Sequence, residues 1–496
     1  MMPKEVVIGK YAIESLTTGM YTDPFVIYRE YIQNATDAID DGIKQLILDP
    51  KDGTIKVLID DKTHKIIIED NGTGLSQENA YRFLSDIGNS RKTQGASRGF
   101  RGIGRFSGLS YCDRLTFTTT SVGDSFSYSI TYDAKLLRSI IAKDVNTITA
   151  EDAILQSISE DRQKVKPESH FFRVIMEDVH PETGLMNTDK VEQYLSMVAP
   201  VKFGCDFSWG NEISNTLNEQ LGTIPTYKLT LVTRDRTKEI CKLYSDTFLL
   251  NRTTGVTDQI KKIDYFPIVG LQGEQVGLAW YGISNFYGTI IGNEIKSLRL
   301  RIGNILVGDH TALNSVFKDP RFNGWVVGEV YVNSSDFIPN ARRDGFENNT
   351  AYYSLMEQLR QLAVEIVKDI RAASASRSKS IENATQIQTN TADILNGERI
   401  SEHAREKGKK EIRQARNELL KSSEDMPEEL KMDVLEQMDI LSGRVSGASS
   451  FKAINLLPNL SKAEREFLDS LFKKLKTQRQ EKEANKIIDT ILDVLS

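Results

Sequence analysis

The apolar positions Tyr28, Tyr31, Ile32, Ala35, Ala38 and Ile39 recur every three or four residues, which predicts a helix with one apolar face. Short β-branched runs at 54–59, 65–69, 114–120 and 171–177, each bounded by turn residues, predict strands. Helices alternating with strands over residues 1–200 predict an α/β sandwich, with helices on one face of a mixed sheet and any ligand on that helical face. A second strand-rich stretch fills residues 201–372, with runs at 228–232, 275–281, 298–307 and 325–332. It ends in a helix whose Tyr352, Leu355, Leu359, Leu362, Ile366 and Ile370 again keep a spacing of three or four.

From 373 onward strand signals and aromatics thin out. The small polar residues of 372–380 mark the shift, and helices are predicted at 401–422 and 427–441, then a linker at 443–450. Ser461 and Glu464 have the spacing of a capping box, opening a helix that carries Phe467, Leu468, Leu471, Phe472 and Leu475 on one side. The last helix carries Ile487, Ile488, Ile491, Leu492 and Leu495. The fold class expected is therefore α+β: an α/β sandwich (1–200), an α/β middle domain (201–372) and an all-helical C-terminal region (373–496) whose apolar stripes are either internal core or a dimer contact.

Three short motifs bring chemistry into this frame. On the first helix Glu30, Asn34 and Asp37 project within about a turn of one another. A carboxamide is a hard-oxygen ligand suited to Mg²⁺, and a carboxylate one turn earlier can polarise a water as general base. After the second strand, Asp70-Asn-Gly72-Thr-Gly74 turns sharply, and the Asp70 carboxylate can accept from an exocyclic amine. Further on, Gly99, Gly102 and Gly104 make a glycine-rich loop feeding a helix, whose first N–H groups can hold phosphate. Each motif alone is weak, since Asp-Asn-Gly-Thr-Gly is by itself a turn sequence. Their order and separation carry the argument.

Together they resemble the three nucleotide boxes of the GHKL superfamily, which includes gyrase-type topoisomerases, ninety-kilodalton heat-shock chaperones, sensor histidine kinases and MutL-type repair proteins. The resemblance implies a Bergerat-type ATP-binding domain with ATP and Mg²⁺ as cofactors and Glu30 as the water-activating base. It also implies Asn34 as the metal ligand, Asp70 as the adenine reader and a lid over residues 75–98. The nucleotide-binding set it implies is Asn34, Asp37, Asp70, Gly72, Gly74, Gly99, Gly102, Gly104 and Ser169, the last standing where the family carries a threonine. Downstream, the segment from Asp336 to Asp344 is similar to the middle-domain segment of the heat-shock chaperones that sends an arginine to the γ-phosphate. Register puts Arg343 in that role, with Arg342 as its rival. No Gln-Thr-Lys-like tripeptide of the topoisomerase and MutL kind is present.

Composition changes this picture little. The chain has 496 residues, 39% hydrophobic and 27% charged, which suits several globular domains. A net charge of −6 argues against a general nucleic-acid binder. Cys112, Cys205 and Cys241 follow no metal or redox spacing and read as reduced thiols. The first residues lack an apolar signal region and no run approaches a membrane span, so the expectation is a cytoplasmic protein. By resemblance the expected activity is that of an ATP-driven clamp: a homodimer closing on a protein client, in a specialised bacterial, defence-related setting. The alternative is a MORC- or MutL-like nucleic-acid clamp, with Arg405, Lys407, Lys409, Lys410, Arg413 and Arg416 facing phosphate.

Overall fold

The computed structural model describes residues 23–85, 104–143, 148–253, 255–340, 342–395, 399–422, 428–447, 449–451, 461–478 and 481–494. By contact the chain divides into two compact units. The first holds 1–252, 259–284 and 288–365; the second holds 253–258, 285–287 and 366–496.

In the first unit the strands β1 (Thr54–Asp60), β2 (Lys65–Asp70), β3 (Arg114–Thr120), β4 (Phe126–Asp133), β5 (Ile158–Lys164), β6 (Phe171–Glu177), β7 (Lys228–Val232) and β8 (Thr237–Glu239) form one sheet. Their order is β5-β4-β3-β6-β2-β1-β7-β8, and every pair is antiparallel except β1 with β7. The 228–232 run thus belongs to this first sheet, with Thr54 opposite Lys228. Alternation along each strand gives the sheet two unlike faces. Lys56, Glu69, Arg173, Thr118 and Ser129 are successive register partners in a polar row, where Arg173 pairs with Glu69 and Thr118 shares a 2.9 Å hydrogen bond with Ser129. The adjacent row, Ile55, Asp70, Phe172, Thr119 and Tyr128, lies on the apolar face.

Helix α1 (Val26–Lys44) packs on that face. Its Ile27, Tyr28, Tyr31, Ile32, Ala35 and Ile39 are all within 2% of full burial, and each large side chain contributes ~1.5–3 kcal/mol before ordering costs. Helices α2 (Gln77–Ser85), α3 (Ala134–Ala142), α4 (Ala150–Ser157) and α5 (Thr188–Val198) add Ala80, Leu84, Leu137, Ile140, Ala153, Val191 and Leu195 to the same core.

Helix α6 (Gly210–Leu221) and the short strands β9 (Thr247–Leu249) and β10 (Thr257–Gln259) lead to β11 (Lys262–Val269), β12 (Gln275–Ile283), β13 (Ser297–Ile302), β14 (Ile305–Val307) and β15 (Val327–Val332). The five longer strands form a sheet in the order β11-β12-β15-β13-β14. The single run expected at 298–307 is two strands, because Gly303 and Asn304 both take positive φ (50° and 66°) and reverse the chain in two residues.

A buried ionic cluster ties the two sheets together. Glu329, on β15, is fully buried and accepts from Lys242 (2.9 Å), Tyr244 (3.1 Å), Tyr331 (2.7 Å) and Arg301. Arg301 also donates to the Met197 carbonyl at the end of α5 (2.9 Å), and Asn304 donates to the Pro225 carbonyl before β7 (3.1 Å). Burial, then the neighbouring Arg301, pulls Lys242 down to about 7 against the attraction of Glu329. Burial pushes the Glu329 carboxyl up, but Arg301 and Lys242 outweigh it and hold the group well below the usual range.

Helix α7 (Thr350–Leu395) runs through the polar 372–380 segment without a break, since its alanines favour helix and it contains neither Gly nor Pro. In the second unit follow α8 (Glu402–Ser422), α9 (Glu428–Gly447), α10 (Lys462–Gln478) and α11 (Glu481–Val494). The linker expected at 443–450 is helical as far as Gly447. Packing of Leu441 and Val445 on Ile412, and of Met438 on Ala415, outweighs the cost of one helical glycine, about 1 kcal/mol. Residues 449–451 then pair in parallel with Arg399–Ser401. The capping box is formed: Glu464 accepts from Ser461 N (2.7 Å), and Ser461 Oγ accepts from Glu464 N (3.3 Å). The stripes of α10 and α11 pack on each other through Leu468, Phe472, Ala484 and Ile488.

Removing the anion of the Glu329 cluster should cost more than removing one of its cations. Glu329→Gln leaves Arg301 and Lys242 without a counter-charge, an expected loss of about 3–5 kcal/mol. Lys242→Met leaves Arg301 to neutralise Glu329 and should cost less. Urea unfolding followed by tryptophan fluorescence ranks the two variants; the reverse order would show that Glu329 is not the centre of the cluster.

Candidate functional site

A helix on a sheet normally turns its polar stripe to water. Helix α1 does not: Arg29, Glu30, Gln33, Thr36 and Asp37 are buried beside its apolar residues. Buried polar groups require partners, so the origin of those partners defines the site.

One set comes from the segment after the glycine-rich loop, a short 3-10 helix at Gly104–Ser110. Tyr31 Oη donates to the Arg105 carbonyl (3.0 Å) and accepts from Gly108 N (3.1 Å), seating this turn on α1. Gly104 lies directly on the Glu30 carboxylate: a β-carbon there would sit 1.9 Å from Oε2, so a larger residue and this carboxylate position exclude each other. The Arg105 guanidinium is buried 4.3 Å from the Phe83 ring centroid of α2, the described start of the lid segment expected from the sequence. Residues 86–98 of that segment, with Gly99 and Gly102, lie outside the described residues.

A second set comes from the loop of 340–345. The Arg343 Nε is 2.5 Å from Glu30 Oε1, and its Nη1 donates to Gln33 Oε1. Arg29 returns the contact, donating to the carbonyls of Arg343 (3.2 Å) and Arg342 (3.3 Å). Arg343 has φ +57°, uncommon for a long side chain, and its backbone is held by Arg343 N to the Asn340 carbonyl (3.1 Å) and Gly308 N to the Arg343 carbonyl (2.9 Å). The Arg342 side chain is exposed. Of the two arginines, Arg343 is the one against Glu30. Neither Arg29 nor Gln33 belongs to a sequence motif. Their only signal is position: one residue before and three after Glu30, on the same side of α1.

The third set follows β2. Asp70 is buried, and its Oδ1 accepts from Gly72 N (2.9 Å). Thr73 N donates to the Ala38 carbonyl of α1 (3.2 Å), and His170 Nδ1 lies 2.9 Å from the Gly72 carbonyl. Gly74 has φ +61°, and a β-carbon there would meet the Thr120 carbonyl oxygen at 1.9 Å, so only glycine fits. Ser169 sits in the turn before β6, three residues ahead of Phe172, and Phe172 rather than Ser169 is the register partner of Asp70.

Asn34 is half-buried, one turn beyond Glu30, and its side chain makes no hydrogen bond among the described residues. No group of three or more His, Cys, Asp or Glu close enough to hold a metal occurs among those residues. A lone protein oxygen suits a Mg²⁺ held chiefly by phosphates and water, not a closed protein cage. The basic side chains of α8 are partly engaged: Lys409 pairs with Glu406 (3.0 Å), Lys407 with Glu411 (3.8 Å) and Arg416 with Asp439 (3.1 Å). No described helix is long and apolar enough to cross a membrane.

Residues 21–164 match the family described as histidine kinase-, DNA gyrase B- and HSP90-like ATPase. The chaperone protein HtpG of Chlorobium phaeobacteroides is 30% identical over 139 residues, 24% of this chain and 22% of that protein. HtpG of Acinetobacter baylyi is 29% identical over 126 residues, 22% of this chain and 20% of its own. HtpG of Rickettsia prowazekii is 25% identical over 259 residues, covering 48% of this chain and 38% of the relative. The matches thus span less than half the length of these curated relatives.

The contact at Gly104 yields a direct test. Gly104→Ala must displace either the Glu30 carboxylate or the turn that follows; if the chain hydrolyses ATP through Glu30, the expected fall in turnover is roughly 10²-fold, the scale of a mispositioned reacting group. Steady-state phosphate release measures it; turnover within twofold of wild type would mean that Glu30 need not lie where it is seen.

Proposed function

From the premise that this chain carries a GHKL ATPase domain similar to that of the HSP90 family, we propose that it hydrolyses ATP, with Glu30 as general base and Arg343 as the residue that makes hydrolysis conditional on docking of the 340–345 loop. The supporting observation is the Arg343–Glu30 ion pair at 2.5 Å, made by a half-buried arginine and a buried carboxylate from opposite ends of the first unit's sequence. In this pair the Glu30 Oε1 is occupied by a guanidinium. The terminal phosphate of a bound nucleotide would compete for the same guanidinium. Transfer of Arg343 to that phosphate frees Glu30 to take a proton from water and places positive charge where negative charge develops. Arg29, bound to the backbone carbonyls of Arg342 and Arg343, would keep the loop at hand.

In this reading Asp70 accepts from the adenine amine, and Gly72, Gly74, Gly104 and the loop before Gly104 let the backbone approach the nucleotide. Asn34 offers its carboxamide oxygen to Mg²⁺, which when bound supplies charge neutralisation on the phosphates. Asp37 completes the polar stripe of α1. The wider cycle we propose is that of a clamp: two protomers associate through the helical tail and close on a protein client. The nucleic-acid alternative has less support, because Lys407, Lys409 and Arg416 already have carboxylate partners.

Glu30→Ala is expected to retain ADP binding while losing turnover by roughly 10²-fold or more. Arg343→Ala should lower turnover with ADP affinity nearly unchanged, and Arg342→Ala should do neither. Calorimetric ADP titration beside phosphate-release kinetics separates these outcomes. Full turnover in Glu30→Ala would remove the base assignment, and full turnover in Arg343→Ala would remove the conditional docking.

A further inference from the structure

On the helix-covered face of the first sheet, the strand register sets Asp70, Phe172 and Thr119 side by side on β2, β6 and β3. Asp70 and Thr119 are buried, while Phe172 is half-buried, packed on the core with its ring 6.0 Å from that of Phe117. The Thr119 hydroxyl is fully committed. It accepts from Leu75 N (2.8 Å) and spends its one proton on the Phe171 carbonyl (3.0 Å), so it has no donor left for a ligand. Ser169 lies three residues away from the row. Along this row the group beside the Asp70 carboxylate is therefore an aromatic hydrocarbon and not a hydroxyl.

We infer that Phe172 is a specificity-determining residue of the nucleotide site. Its ring forms an apolar wall that keeps water from the Asp70 carboxylate, so that this one charged acceptor selects a 6-amino purine over a 6-oxo purine. This inference rests on the assignment of Asp70 to the adenine amine made above. A charged acceptor makes a stronger hydrogen bond when solvent is excluded. It is also more repelled by a carbonyl oxygen in the same place, because the phenyl ring beside it has no donor to bridge two acceptors. The wall thus acts through a single hydrogen bond, sharpening its sign. A hydroxyl in its place would donate to either kind of base edge and blunt the choice.

Calorimetric titration of the full chain with ADP and with IDP, whose bases differ in the group at position six, tests this. Wild type should prefer ADP. In Phe172→Thr the ADP:IDP affinity ratio should fall roughly tenfold, and Phe172→Leu, small but apolar, should keep it within about threefold. Phe172→Tyr keeps the ring in the core and adds a hydroxyl; it too should lower the ratio, and it stands as the test if the threonine variant fails to fold. Pyrophosphate, which lacks a base, should compete for ADP equally well in all folded variants. An unchanged ratio in both the threonine and tyrosine variants overturns the inference, as does an equal loss in Phe172→Leu. If wild type binds ADP with a dependence on Asp70 and only the Phe172 effects are missing, the inference fails alone. If wild type binds neither nucleotide, the ATP-site reading fails with it.

Discussion

The need to satisfy a polar stripe buried under the first sheet governs this molecule. Helix α1 buries Glu30 almost completely, and an unpartnered carboxylate there would be prohibitively costly. Its partner, Arg343, comes from the loop between the second sheet and α7, and Arg29 and Gln33 bind that loop in turn. The carboxylate proposed to activate water is thereby held by a distant part of the chain. Structure and reactivity are coupled in one contact: whatever draws Arg343 away from Glu30 also loosens the hold of the loop on α1.

The second buried network has a different character. The cluster at Glu329 is closed on all sides by Arg301, Lys242, Tyr244 and Tyr331, and its outward bonds go to backbone carbonyls at Met197 and Pro225. A satisfied network of this kind fixes geometry at little net gain in stability. It gives the sheet bearing the 340–345 loop a defined attachment to the sheet bearing α1. One network is closed on itself, and the other has a partner for which, in the reading proposed above, a phosphate would compete. That difference is what a conditional active site requires.

Chain patterning alone determined much of this. The period of α1, the strands at 114–120, 171–177 and 228–232 and the capping box at Ser461 are local properties, set by side-chain spacing and turn chemistry. The family resemblance pointed to Arg343, but not to what it touches. Where local rules misled, a neighbour overrode them: packing on Ile412 carried α9 through Gly443, and the Gly303–Asn304 turn divided an apparently continuous strand.

Tertiary structure decided the rest, for reasons of distance along the chain. That 228–232 joins the first sheet depends on pairing with β1, far away in sequence, and no periodicity records a pairing partner. That Phe172, and not Ser169, stands opposite Asp70 depends on the register of β6 against β2, where a shift of one residue would turn the ring to the other face. That Arg29 and Gln33 matter at all depends on which loop covers α1. Sequence names the residues able to do chemistry; only the fold sets Arg343 against Glu30 and Phe172 beside Asp70, because those contacts join segments with no local reason to meet.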